Sequence, residues 1–200
     1  MISGSLAISL GDDHACTVSA NKQLYCFGIN QYGQLGSRMI ASNTLSTIIN
    51  IDTYGQKTCV IYGEKRNIGC FGEKDLSINP ENNINSFVLE DLKINQKSYQ
   101  DVVAVGVGNQ HICLATAEQQ VECIDYATKP ANHYTVLTDK KTPLKDIWQI
   151  HSRGKLNCGI TRDKGEIWCW GEWKSNQWNN AKQLTFAGKP TSDFIQISLT

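Results

Sequence analysis

The side chains with most chemistry to offer in this 200-residue chain are its eight cysteines. They fall in pairs: Cys16 with Cys26, Cys59 with Cys70, Cys113 with Cys123, and Cys158 with Cys169. Members of a pair lie ten or eleven residues apart, and the first cysteines advance along the chain by 43, 54 and 45. Thiols so placed could bind zinc, act as nucleophiles or join as disulfides. Zinc fits poorly, because no C-x-x-C occurs and the four histidines keep no ligand spacing to the pairs. Pairing uses all eight, so no odd thiol is left over as a nucleophile. The alternative to disulfides is free cysteine filling buried strand positions as a small hydrophobe.

Other reactive constellations are few. Asp12 and Asp13 beside His14 suggest acid–base work, but three such residues in a row also make an ordinary turn. There is no G-x-S-x-G, H-E-x-x-H, Walker A or dinucleotide fingerprint. The "GVGNQH" that starts at Gly106 opens a strand hairpin and not a helix, so it is no phosphate cradle. The reading is of a non-enzyme without cofactor or metal. Nineteen basic and nineteen acidic residues cancel, which argues against nucleic acid or an anionic membrane as partner. No apolar run is long enough to insert in a bilayer.

The elements around the cysteines recur with them. Four segments align, starting at Leu6, Ile48, Val102 and Ile147. Each opens on an apolar run such as "LAISL" or "VVAVGV". A polar turn follows, then "ACTVS", "TCVIY", "HICLA" or "NCGIT". A second turn, near Asn21-Lys22, Lys65-Arg66, Glu118-Gln119 or Lys164-Gly165, leads to "LYCFG", "IGCFG", "VECID" or "IWCWG". Period-two alternation between turn clusters is a hairpin signal. It sets the two cysteines of a pair opposite each other, within disulfide reach. A weaker fourth strand is expected before each new unit, as at Asn85–Leu92 and Lys182–Gly188. Four strands in roughly 45 residues make one propeller blade by size. The units predicted are 6–47, 48–101, 102–146 and 147–193 in a single region 1–200, with a fifth starting at 194–200. The fold class is all-β: a propeller of about four blades of four antiparallel strands, possibly part of a larger one, since the chain begins and ends on the equivalent strand.

The first unit, "ISLGDDHACTVSANKQLYCFGINQYGQLG", resembles the repeat of the RCC1 (regulator of chromosome condensation) superfamily. The family pattern is an apolar strand, G-x-x-H, a strand, a turn, then an aromatic-x-aromatic-G-x-N-x-x-G-Q-L-G run. Gly11, His14, Tyr25, Phe27, Gly28, Asn30, Gly33, Gln34, Leu35 and Gly36 match it. The third unit keeps Gly108 and His111 but has Ile124-Asp125 where the first has Phe27-Gly28. The fourth keeps Trp168, Trp170 and Gly171, and the second keeps Phe71-Gly72. The resemblance implies a β-propeller, commonly of seven blades, and the paired cysteines look more like those of exported bacterial relatives. The histidines of G-x-x-H are expected to cap a turn by hydrogen bonding.

The function expected is a non-enzymatic protein-interaction scaffold with an unidentified protein partner. Four disulfides call for an oxidising compartment. The opening "MISGSLAISL" reads as no signal peptide, so export (periplasmic, cell-surface or secreted) assumes a leader outside this sequence. The resemblance carries an alternative, guanine-nucleotide exchange on a small GTPase. Carbohydrate binding is a third reading, resting on Trp173 and Trp178, the candidate binding surface, which flank a polar turn in "GEWKSNQWNN". The Asn-rich "EKDLSINPENNINSF" from Glu73 is read as a tolerated excursion more readily than as a contact loop.

Overall fold

Short apolar runs broken by polar turns are too brief for a helical stripe, and they fold as antiparallel hairpins. A computed structural model describes residues 5–36, 47–72, 90–91, 93–94, 97–117, 120–127, 131–173, 176–197 and 199. The insertion from Glu73, and the Glu118-Gln119 turn, lie outside the described residues. The first sheet has the order β1 (Ser5–Leu10), β2 (His14–Ser19), β3 (Leu24–Gly28). The second runs β4 (Ile48–Tyr54), β5 (Lys57–Tyr62), β6 (Asn67–Gly72), β7 (Glu90–Asp91). A ribbon of β8 (Lys93–Ile94) and β9 (Lys97–Ser98) comes next. The third sheet is β10 (Val102–Val107), β11 (His111–Thr116), β12 (Val121–Asp125), β13 (Asn132–Thr135). The fourth is β14 (Ile147–Arg153), β15 (Leu156–Thr161), β16 (Ile167–Trp173), β17 (Asn176–Gln183). A last ribbon pairs β18 (Thr185–Phe186) with β19 (Lys189–Pro190). The chain divides into two compact units, residues 1–102 and 103–200.

Every cysteine pair closes its own hairpin. Cys16 faces Cys26, Cys59 faces Cys70, Cys113 faces Cys123 and Cys158 faces Cys169 in register. All four pairs are bonded, with Cα atoms 4.0 to 4.1 Å apart. The loops closed are ten or eleven residues. In the chain-entropy account each bond then contributes about 2 to 3 kcal/mol.

The bonded cysteines are also packing surface. In the first unit, Cys16, Val18 and Leu24 of one sheet meet Ile51, Val60 and Phe71 of the next. In the second unit, Cys113, Ala115, Val121 and Cys123 meet Ile147, Ile150, Trp170 and Ala181. The buried Trp170 donates its indole N–H to Cys123 Sγ at 3.3 Å. Beyond the fourth sheet, Ile197 and Leu199 lie on Cys158, Ile160, Ile167 and Cys169. The end of the chain thus covers the disulfide-bearing face of the fourth sheet, as the second sheet covers that of the first.

One fourth strand differs from the sequence reading. In the last sheet it is Asn176–Gln183, directly after β16, where Lys182–Gly188 was expected. Trp173 pairs with Asn176, and Thr185–Phe186 starts a separate ribbon. In the second sheet, β7 falls inside the expected 85–92 stretch.

Candidate functional site

The G-x-x-H turns of the first and third sheets share one local design. Gly11 N–H donates to the carbonyl of His14, and Gly108 N–H to that of His111, so main chain closes each turn. The imidazole then folds over the glycine. A Cβ on Gly11 would sit 2.2 Å from the His14 ring, and one on Gly108 2.1 Å from the His111 ring. Glycine is required there by close approach. The ring does not cap its own turn, as the sequence suggested; it reaches the next sheet.

His14 Nε2 lies 2.8 Å from Thr58 Oγ1. The Thr58 hydroxyl donates to the carbonyl of Gln34 at 3.0 Å, so it accepts from His14 Nε2–H. His14 is thereby a neutral Nε2–H tautomer with a buried, unpartnered Nδ1. Burial lowers its pKa, and the nearby Asp12 and Asp13 carboxylates only partly oppose this. In the second unit His111 Nε2 donates to Asn157 Oδ1 at 2.7 Å, and Ser152 Oγ donates to the same oxygen at 2.6 Å. The partners, Thr58 and Asn157, both directly precede the first cysteine of the following hairpin. Asp12 and Asp13 themselves are exposed, and Asp12 N–H binds the carbonyl of Gly55. The arrangement ties adjacent sheets together within each unit.

What lies above these locks differs between the two units. In the first, residues 29–36, "INQYGQLG", form a loop on top of His14 and Thr58. Ile29 N–H binds the carbonyl of Asp13, Leu35 N–H binds Asn30 Oδ1 and Tyr32 N–H binds Gln34 Oε1. Gln34 is fully buried, and its carbonyl takes the Thr58 hydroxyl. In the second unit the chain starts along the same path, with Tyr126 N–H on the carbonyl of Gln110. It then departs: Asp125 stands where Gly28 stood, and β13 pairs along β12. A cleft of about 490 Å³ remains over His111 and Asn157. Its floor includes Trp170, and its rim carries Gln110, Tyr134, Asn132 and the Lys155–Glu172 ion pair at 2.9 Å. Burial, reinforced by the Asp125 carboxylate, raises the pKa of the Tyr134 phenol.

Trp173 closes β16, and Trp178 in β17 pairs with Gly171, which lies on the cleft wall. Both side chains lie outside the described residues. Among the described residues no group of three or more His, Cys, Asp or Glu could hold a metal ion, and no helix is long and apolar enough to cross a membrane. Sequence reasoning missed Thr58, Asn157 and the cleft. The signal was a polar residue, Thr58 or Asn157, inside the apolar second strand of the second and fourth repeats, one position before the cysteine, where the first and third repeats have Ala15 and Ile112.

Residues 6–34 match the regulator of chromosome condensation (RCC1) repeat. No curated protein matches the chain by sequence. The fold is similar to that of human WBSCR16, with a TM-score of 0.64 and 16% identity over 94% of this chain and 56% of that one. Prp20p of Saccharomyces cerevisiae, the yeast RCC1, gives 0.63 and 13% over 92% and 51%. The ectodomain of the receptor kinase CR4 of Physcomitrella patens gives 0.53 and 14% over 84% and 42%. The chain spans about half the length of these solved structures. Its first repeat is of RCC1 type, and its fold is the all-β RCC1-like propeller fold, with four disulfides.

Proposed function

We propose that this chain is a non-enzymatic protein-interaction scaffold of RCC1-like repeats that works outside the reducing cytosol. The observation that carries the reading is the set of four disulfides, one between the second and third strands of each of the four main sheets. Bonds over such short loops are reduced in a cytosol and persist in an oxidising compartment. A rigid array of sheets presenting turns and loops is a binding platform. Prp20p is a protein with described binding to Gsp1p and histones, and CR4 supplies a similar fold in an ectodomain. A protein partner is the inference for this chain. The four-unit reading of residues 1–200 stands with this proposal.

The array is further read as part of a longer propeller. Ile8, Leu10 and Phe27 are 64%, 63% and 51% exposed. By register against the cysteines their counterparts in the second sheet are Ile51, Thr53 and Phe71, which are 6%, 2% and 5% exposed; Ile51 and Phe71 pack in the cluster with Cys16 of the first sheet and Thr53 bonds Ser9 of that sheet. The open face of the first sheet is therefore built to receive the disulfide-bearing face of another such sheet.

The test is cross-linking and co-purification from the extracellular fraction of the native source, wild type against a reduced and alkylated control. A partner retained only by the oxidised protein supports the scaffold. The likeness to Prp20p keeps one competitor, nucleotide exchange; accelerated nucleotide release from a small GTPase would replace the scaffold reading with it. Selective binding to a glycan array would favour the carbohydrate reading.

A further inference from the structure

Resting on the scaffold reading, we infer that the cleft over His111 and Asn157 binds a polar turn peptide of the partner protein, seated as the chain's own residues 29–36 are seated over His14 and Thr58. The two places share a floor and one turn contact. Each is floored by a histidine Nε2–H that donates across to the residue before a cysteine, at 2.8 Å to Thr58 and 2.7 Å to Asn157. At each, the residue after the third strand's Gly28 or Asp125 binds a carbonyl of the G-x-x-H turn. In the first unit a main-chain carbonyl, that of Gln34, comes down on the floor and takes the Thr58 hydroxyl at 3.0 Å.

In the second unit that carbonyl has no counterpart among the described residues. Asn157 Oδ1 is occupied by His111 and Ser152, while its Nδ2 has only a 3.5 Å contact with the carbonyl of Trp170. A buried amide so weakly bonded is costly to leave unmade, and a carbonyl delivered from above would complete it. The rim suits a peptide better than an apolar ligand: amides at Gln110 and Asn132, the Tyr134 ring and the Lys155–Glu172 pair surround the opening. A volume near 490 Å³ lies within the range of ordinary ligand clefts.

The probe is the blocked peptide INQYGQLG, with the sequence of residues 29–36, titrated into the isotopically labelled 200-residue chain and read by amide and indole NMR shifts. The expected result is saturable shifts at Trp170, Gly171 and Tyr134, absent with a scrambled peptide. Tyr134→Ala should weaken binding by about tenfold or more while leaving the spectrum folded. Asn157→Thr, which restores the Thr58 chemistry, should retain it. No shifts at millimolar peptide would overturn the inference. So would equal binding of the scrambled peptide, or shifts centred on Ile8 and Leu10. A natural partner that binds wild type and Tyr134→Ala equally sinks this cleft and spares the scaffold; failure of the scaffold itself is read from co-purification and not from the titration.

Discussion

Thr58 is the residue on which the first inter-sheet lock turns. Its hydroxyl accepts from His14 and donates to Gln34, and all three residues are buried. Thr58→Val keeps the shape and strands both partners, so it should cost about 1 to 3 kcal/mol in denaturant unfolding. A change within a few tenths would show that the lock adds nothing. His14 makes a second test. Its folded pKa lies below the ordinary 6.5 because burial disfavours the cation. The unfolded chain therefore binds more protons in the window beneath 6.5, and the stability contributed by His14 is present above that value and lost as pH falls through the folded pKa. Unfolding midpoints compared above and below that window should drop on acidification, and a His14→Gln variant should show a smaller drop. Equal slopes would remove His14 from the account. The sequence displayed His14 and His111 but not their targets. Thr58 lies 44 residues from His14 and Asn157 46 from His111. That separation is one repeat, so the contact exists only once sheets stack, and a turn motif read locally points to its own backbone instead.

At the scale of the element, the hairpin was legible because its determinants are local: alternation, turn residues and two cysteines at mirrored distances from a turn. The fourth strand of the last sheet was not, because the edge strand Asn176–Gln183 is polar and is set by pairing with β16, whereas β7 falls inside the stretch the sequence marked. Gly28 tests the hairpin's closing geometry. It has φ +121°, and a Cβ would lie 2.4 Å from the Asp13 carbonyl, whereas Gly63, at φ +73°, has open space around it. Gly28→Ala should cost about 2 kcal/mol or more, and Gly63→Ala about 1; equal costs by thermal melting would contradict the close approach. The disulfides test its stapling. Cys113→Ala with Cys123→Ala should lose the roughly 2 to 3 kcal/mol of loop constraint and more, since Cys123 Sγ also accepts the Trp170 N–H. A loss well below that range would mean that the staple contributes little.

For the whole molecule, the repeat and its RCC1 resemblance could be read from spacing and from "GxNxxGQLG", while the cleft could not. It lies where β13 pairs along β12 in the second unit, and only the three-dimensional equivalence of the two units brings it out. The open face of the first sheet makes a contrasting prediction. In the 200-residue chain, Ile8→Glu and Leu10→Glu should shift stability by no more than about 0.5 kcal/mol, because both sites are exposed. Ile51→Glu, at the covered counterpart, should unfold the unit. The measurement closest to the core of the account is non-reducing peptide mapping of the protein from its native source after thiol alkylation. It should recover four linkages, 16 to 26, 59 to 70, 113 to 123 and 158 to 169, with no alkylated cysteine. Free thiols throughout, or any bond joining cysteines of different hairpins, would contradict both the stapled sheets and the oxidising setting proposed for them.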